Sequence, residues 1–303
     1  MGIGCLCPKL VTIAIPAFKR TFLAEAIESA LAQDYPNIEL VIVNDKSPYN
    51  LDEVVNKYTD TRIRYFVNER NLGKESIVLN WNRCVDYAQG EFFVLLCDDD
   101  VLMPNFVSEL LKLAEKYPQC DVFHGRRMVK DESQTICVNA DSWPEWESFD
   151  SFLENALKGQ RVHTVTEFMY RTARVKSIKY DVYPVGYFSD NASVLKFGRE
   201  RGFVSSDKML CVFRISREHI TGHSGFAVEK ALAAIQYFNW LDVYTGIFPN
   251  KKKINETIDA WVYEWVYKPS NVWERIKLII VMPLKIWKVK QKIYMLLHVT
   301  KRI

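Results

Sequence analysis

Glu91-Phe-Phe-Val-Leu-Leu-Cys97 runs without a break into Asp98-Asp99-Asp100. A short, almost continuous apolar run of this length reads as a strand buried on both faces, as in the middle of a parallel sheet. The acid triplet then falls just beyond the strand's carboxyl end. Three adjacent carboxylates repel one another, and gathering them beside an apolar strand costs stability unless a cation is present. In isolation an Asp triplet is more often a turn or a helix cap. Its place after this strand favours a ligand site.

The pattern extends upstream. Leu10-Val-Thr-Ile-Ala-Ile15 is a β-branched run ended by Pro16, and it reads as a second buried strand. Leu23, Ile27, Ala30 and Leu31 share one helical face, with Thr21 as the expected cap. Glu39–Asn44 is another strand, ending at Asp45, and Ile63–Val67 a further one. Ile77, Trp81, Cys84, Val85 and Ala88 mark a second amphipathic helix, with Gly90 as its stop. Downstream, Pro104 and Asn105 open a helix through Tyr117, followed by a strand at Asp121–His124.

Strands and helices alternate, so the fold class is α/β, a mainly parallel sheet flanked by helices. Between 126 and 215 the pattern is less regular, with strands expected at Val165–Tyr170 and Lys208–Arg214. Beyond 225 the chain reads as helical and rich in aromatics.

Composition narrows the class. Of 303 residues, 49% are hydrophobic and 25% charged, which fits a folded protein and excludes a disordered or fibrous one. The net charge of +3 is unevenly spread: residues 273–303 carry eight Lys or Arg and one acid, so the rest is mildly acidic. Seven cysteines with no CxxC argue against a disulfide framework and a four-cysteine zinc site, and a reducing, cytoplasmic setting is expected. The first eight residues lack the pattern of a secretion signal, and Leu6 does not fit a myristoylation motif. No apolar run approaches the ~18 residues of a spanning helix.

In an open parallel sheet, ligands bind beyond the carboxyl ends of the strands. Three such ends carry chemistry: Pro16-Ala17-Phe18-Lys19-Arg20, Asn44-Asp45-Lys46-Ser47 and Asp98-Asp99-Asp100. The first two offer a ring to stack, a cation, and a carboxylate that can accept from a base N–H. The third offers hard oxygen donors for Mg²⁺ or Mn²⁺, which bind carboxylates together with substrate phosphates. Together they suit a nucleoside diphosphate held through a bridging metal.

These residues also carry a resemblance. Val11–Arg20, Leu23–Ser47, Asn71-Leu-Gly73, Asn80, Gly90-Glu91 and Asp98–Pro104 closely resemble the family 2 glycosyltransferases, which have the GT-A (Rossmann-like) fold. The likeness is strong over 1–125, patchy over 126–220, with Ser189-Asp190 and Phe213-Arg214 as later matches, and absent from the tail. It implies an inverting, metal-assisted transfer from a nucleotide-sugar donor to a glycan or lipid-linked acceptor, in surface-polysaccharide biosynthesis. On this likeness Pro16, Ala17, Phe18 and Arg20 form the first nucleotide loop. Asp45 reads the base, Lys74 touches the donor, Asp98 contacts ribose or sugar, and Asp99 with Asp100 holds the metal. Many relatives have Asp where this chain has Cys97, so the register of the acid cluster is open by one residue. Asp190 is the expected catalytic base, because the base must lie opposite the leaving diphosphate, outside the metal cluster. Asp181 and Glu167 are weaker candidates. The expected organisation is a GT-A domain at 1–225, with a nucleotide half at about 9–125 and an acceptor half at 126–225. A helical region with a basic amphipathic tail follows at 226–303.

Two other functions are open to a chain of this kind. A sugar-phosphate nucleotidyltransferase usually has a Gly-rich loop after its first strand, and Pro16–Arg20 has no glycine. A catalytically inactive binding subunit would not need the acids, yet the cluster and Asp190 are both kept. The tail interleaves lysines with Ile, Leu, Trp and Tyr at helical spacing. That suits peripheral contact of 273–303 with a membrane surface rather than nucleic acid. Each basic residue near an anionic surface contributes about 1 kcal/mol. The tail should therefore float the protein with anionic liposomes and not with neutral ones; equal recovery with both would contradict this.

Overall fold

The computed structural model describes residues 8–130, 135–136, 143–215, 225–268 and 270–281. The first half of the chain forms β1 (Val11–Ala17), α1 (Leu23–Leu31), β2 (Ile38–Asn44), α2 (Asp52–Val55), β3 (Ile63–Val67), α3 (Ile77–Tyr87), β4 (Phe92–Leu95), β5 (Val101–Leu102), α4 (Phe106–Lys116) and β6 (Val122–Lys130). Then come β7 (Thr135–Ile136), β8 (Trp146–Glu147), α5 (Phe149–Leu157), β9 (Phe168–Arg171), α6 (Thr172–Ile178), α7 (Ser189–Gly198) and β10 (Phe203–Arg214). The last described elements are α8 (Ala227–Thr245), α9 (Lys251–Val262) and α10 (Val272–Val281). Two compact units result: residues up to Asp181 with Ser193–Ile215, and Val182–Ala192 with the residues from Ser216 onward.

The first unit is built on one sheet, in the order β3-β2-β1-β4-β9-β6-β10-β5. β1 runs parallel to β2 and β4, and β2 to β3. β9 is antiparallel to both β4 and β6, so β6 and its parallel neighbour β10 keep the sense of β1. The carboxyl ends of β1, β2 and β4 therefore lie side by side on one edge. All seven residues of β2 are buried, as the apolar runs require. The helical faces read from spacing are also buried: Leu23, Ile27 and Ala30 on α1, Trp81, Cys84 and Val85 on α3.

Three local expectations are corrected. Thr21 does not cap α1; Phe22 is the cap residue and no side chain bonds there. The amide of Leu23 turns back to Arg20 O, which leaves Thr21 exposed on the turn. Gly90 is not the stop of α3, since the chain leaves that helix in an extended conformation at Ala88. Its role is close approach: a Cβ there would lie 2.6 Å from Thr12 N and 2.7 Å from Leu10 O. Finally, Val165–Glu167 is one 3-10 turn and only Phe168–Arg171 is strand. The Glu167 carboxylate accepts from the backbone N–H of Thr164 and folds that turn on itself.

Beside Gly90 a buried polar seam ties the sheet's other edge together. Thr12 Oγ1 donates to Glu39 and accepts from Gly90 N at 2.9 Å. Glu39 also accepts from Gln89 N at 2.6 Å and from Arg64 at 2.6 Å.

The second unit consists of the Val182–Ala192 segment, α8, α9, a π-type turn at Tyr263–Tyr267, and α10. Among the described residues no helix is long and apolar enough to cross a membrane. The tail contact expected for 273–303 rests largely on residues 282–303, which lie outside the described residues.

Gly90→Ala should cost about 2 kcal/mol, the usual penalty for overpacking a tight site. Urea denaturation at constant m-value measures it, and a midpoint unchanged from the wild type would contradict the packing described.

Candidate active site

The end of β1 turns over the end of β4. Asp98 Oδ2 accepts from two successive backbone amides, Phe18 N at 2.8 Å and Lys19 N at 2.6 Å. Two N–H groups converging on one carboxylate oxygen make strong charge-assisted bonds. They fix the nucleotide-loop candidates Pro16, Ala17 and Phe18 against the acid triplet. The Lys19 ammonium pairs with Asp99 and stands 3.3 Å from Asp98. Burial alone would lower the lysine's pKa, but the Asp98 and Asp99 charges outweigh it and raise it. Arg20, the loop cation chosen from sequence, instead reaches Glu53 of α2 at 2.9 Å. Lys19 is the cation that the sequence reading passed over, although it stands in the same quoted loop.

Asp100 is held from behind. Thr166 Oγ1 donates to one of its oxygens at 2.6 Å and Arg214 N to the other at 2.9 Å. Arg214 also donates through Nε to Asp99 O and through its guanidinium to Glu25, over the ring of Phe22. Burial, then the neighbouring Asp99 charge, raises the Asp100 carboxyl to about 8. Asp98 is raised chiefly by burial. Burial and the same acids keep the Cys97 thiol neutral, far above its ordinary range.

Ligand atoms of Cys97, Asp99 and Asp100 lie within 4.8 Å of one another. A neutral thiol is a poor donor for a hard cation, whereas two carboxylates suit one. The cluster already attracts a cation in Lys19 and holds Asp100 toward protonation, so a divalent ion fits it. Asp98 accepts from the loop amides, and Asp99 and Asp100 are the carboxylates of the cluster that could hold such an ion.

At the end of β2, Asp45 accepts from Leu72 N at 2.8 Å, Gly73 N at 2.7 Å and Asn68 Nδ2 at 2.9 Å. Asn80 fixes Asn68 in turn. Here lies the physical reason for the Asn71-Leu-Gly73 and Asn80 signals: they build a loop whose amides grip Asp45. A Cβ on Gly73 would come within 3.0 Å of that carboxylate. Lys74 follows with an exposed side chain. Phe18 is 37% exposed and meets Tyr49 edge-on at 6.3 Å.

Asp190 belongs to the other unit. It is the second residue of α7, half-buried, and accepts from Asn191 N at 2.9 Å. Val185, Gly186 and Phe188 just before it all have left-handed φ of 49°, 72° and 66°. The Phe188 ring stacks on Tyr237 at 4.4 Å and lies 4.8 Å from Trp261. Burial first, then the Asp190 charge, raises the Tyr187 hydroxyl. The weaker base candidates are engaged elsewhere. Glu167 is buried in a network with Arg127, His124 and Thr164, and Asp181 pairs with Lys196 at 2.6 Å.

The sequence profile of Glycosyl transferase family 2 matches residues 12–179, more than half of the chain, including Pro16–Arg20, Asp45 and Asp98-Asp99-Asp100. The chain belongs to glycosyl transferase family 2. It is 36% identical over 112 residues to the GalNAc(5)-diNAcBac-PP-undecaprenol beta-1,3-glucosyltransferase of Campylobacter jejuni, covering 36% of this chain and 35% of that one. Chondroitin synthase of Pasteurella multocida is 33% identical over 140 residues, 45% of this chain and 14% of that protein. The chain spans less than half the length of the curated relatives it matches. The crystal structure of residues 1–349 of S. aureus TarS has the same fold, with a TM-score of 0.59 at 16% identity over 92% of this chain and 82% of that one. TarS has also been solved with UDP and with UDP-GlcNAc. The α/β fold expected from the family 2 resemblance is thus observed.

Asp100 predicts a pH signature for the metal-free protein. Its folded value of about 8 lies above the ~3.9 of an unfolded aspartate. The native state therefore holds a proton that the unfolded chain has lost. Stability from this group is complete below about pH 4 and is lost as pH rises toward 8, by at most about 1.4 kcal/mol per unit. In EDTA, Asp100→Asn should melt above the wild type at pH 8, and the gap should close toward pH 5. A gap independent of pH would contradict the assignment.

Proposed function

We propose that this chain transfers a sugar from a nucleoside-diphosphate sugar to a glycan or lipid-linked acceptor, with inversion and with a divalent cation, Mg²⁺ or Mn²⁺, at the acid turn. The observation that carries this reading is the buried Asp98-Asp99-Asp100 turn with Lys19 against it, at the shared carboxyl edge of β1, β2 and β4. Such a turn needs positive charge, and a diphosphate bridged by a cation brings both the charge and the ligand.

The roles follow from what each side chain has left to give. Three of about four acceptor directions on Asp45 are used, and the last accepts a base N–H. Pro16, Ala17 and the exposed Phe18 ring flank the base. Asp98 holds that loop in place and faces the ribose. Asp99 and Asp100 hold the cation, which when bound supplies Lewis-acid charge to the leaving diphosphate. Lys19, released from Asp99, turns toward the same phosphates; Arg20 and Lys74 provide outer cationic contacts. Asp190 takes the proton of the acceptor hydroxyl. Its aromatic neighbours Tyr187, Phe188 and Tyr237 keep that carboxylate partly desolvated and offer flat surfaces to a sugar ring. In this reading residues 9–125 form the nucleotide half and 126–225 the acceptor half. A lipid-linked acceptor, as named for the Campylobacter jejuni relative, fits a protein held at a cytoplasmic membrane face by residues 273–303.

Released nucleotide from UDP-, GDP- and dTDP-sugars tests the reaction, with oligosaccharide and lipid-linked acceptors. One donor should turn over in a divalent-dependent way, and Asp99→Asn should abolish it with the fold intact. Full activity in excess EDTA would contradict the metal assignment. Asp190→Asn should bind nucleotide normally and turn over about 10²–10⁴-fold more slowly. Turnover within a few-fold of the wild type, or retention of the donor's anomeric configuration, would remove Asp190 from the mechanism.

A further inference from the structure

An open cavity lies at the opposite edge of the sheet from the acid turn. β8 pairs antiparallel with the start of β10, Val204 opposite Trp146 and Phe203 opposite Glu147. The far end of β10 is Arg214, which bonds Asp100. β10 bulges between Ser205 and Cys211, so that Val204 to Arg214 runs alongside only Phe123 to Lys130 of β6, and at normal strand rise the two places are about 23 Å apart. The cavity holds about 600 Å³ and is lined by Trp146, Phe149, Arg199, Glu200, Asp150 and Gln119, among others. That volume lies within the range of small-molecule sites.

Trp146 is 46% exposed, yet the edge of its ring is fixed, because Nε1 donates to Arg201 O at 3.3 Å. Gly202 has φ +75°, and a Cβ there would lie 2.3 Å from Glu147 O and 3.2 Å from the indole nitrogen. The wall is therefore shaped around the indole. Beside it the Arg199 guanidinium lies over the Phe149 ring at 4.2 Å, which makes a second flat surface. The lining includes two arginines, Arg199 and Arg201, and two acids, Asp150 and Glu200, so its formal charges balance; Arg201 also pairs with Asp121 and Glu200 with Arg174.

An exposed indole face with planar hydrogen-bonding groups around a charge-balanced rim matches a neutral saccharide. A pyranose lays its C–H face on an aromatic ring and turns its hydroxyls to the sides. A phosphate or a nucleotide would need an excess of cations. We infer that this cavity is a second carbohydrate site, which holds a neutral sugar unit of the acceptor or product chain far from the transfer site. The choice of a saccharide rests on the transferase reading above. The function of such a site is to retain a long glycan between turnovers.

The test measures binding without turnover. The chain has eight tryptophans, and the ¹⁵N-labelled indole signal of Trp146 is identified by its loss in Trp146→Phe. Cellotetraose, chitotetraose and maltotetraose are titrated into Asp99→Asn protein without donor. The Trp146 signal should shift saturably with at least one of them, and Trp146→Ala should bind that sugar about tenfold more weakly by calorimetry. No shift with any of the three, or unchanged affinity in Trp146→Ala, would overturn the inference. A Trp146 shift together with a wild-type protein that turns over none of the donors would count against the transferase reading alone.

Discussion

Lys19 and the Asp98-Asp99-Asp100 turn form the constraint on which the candidate site depends. Three carboxylates are packed at the end of an apolar strand, each with almost no exposure. Left alone they would repel and lose their hydration, a cost of several kcal/mol per buried charge. The chain offsets this cost in three ways. Asp98 receives two backbone amides, Asp99 receives the ammonium of Lys19, and Asp100 is raised toward protonation while Thr166 and Arg214 hold it. The turn is thus satisfied in place but remains short of positive charge, which is the property a cation-bridged diphosphate would use.

The same economy of amides recurs at Asp45. Its carboxylate organises the loop from Asn68 to Gly73 as Asp98 organises the loop at Phe18 and Lys19. Acids at strand ends fix the loops that surround them, and their spare lone pairs remain for a ligand. The parallel run of β1, β2 and β4 brings these ends to one edge. Sheet topology therefore decides where the chemistry can be, and the loops decide what it can bind.

The strands and helices of the first 125 residues were legible because their apolar runs and helical stripes are long, and burial in a two-sided sheet leaves little choice. β3 and α1 fall on the residues their patterns mark. Short features were not legible. α2 has four residues and β5 two, too few for any period to show. Thr21, Gly90 and Val165–Glu167 were misread because local residue preference gave way to a turn, a close backbone approach and a side-chain bond. In the site, the acids could be found from sequence, since a triplet after an apolar strand is unusual. Lys19, Thr166 and Arg214 could not be ranked, because their roles come from contacts across 66 to 115 positions. The motif matches covered Lys19 and Arg214 without assigning either a role.

The central claim is that Asp99 and Asp100 hold a divalent cation while Asp98 holds the loop. Anomalous scattering from crystals soaked with Mn²⁺ and a nucleoside diphosphate tests it most directly. The predicted result is a manganese peak bonded to Asp99, with Asp100 beside it and the Phe18 and Lys19 amides still on Asp98. A fully occupied manganese site on the diphosphate that touches neither Asp99 nor Asp100 would contradict the account.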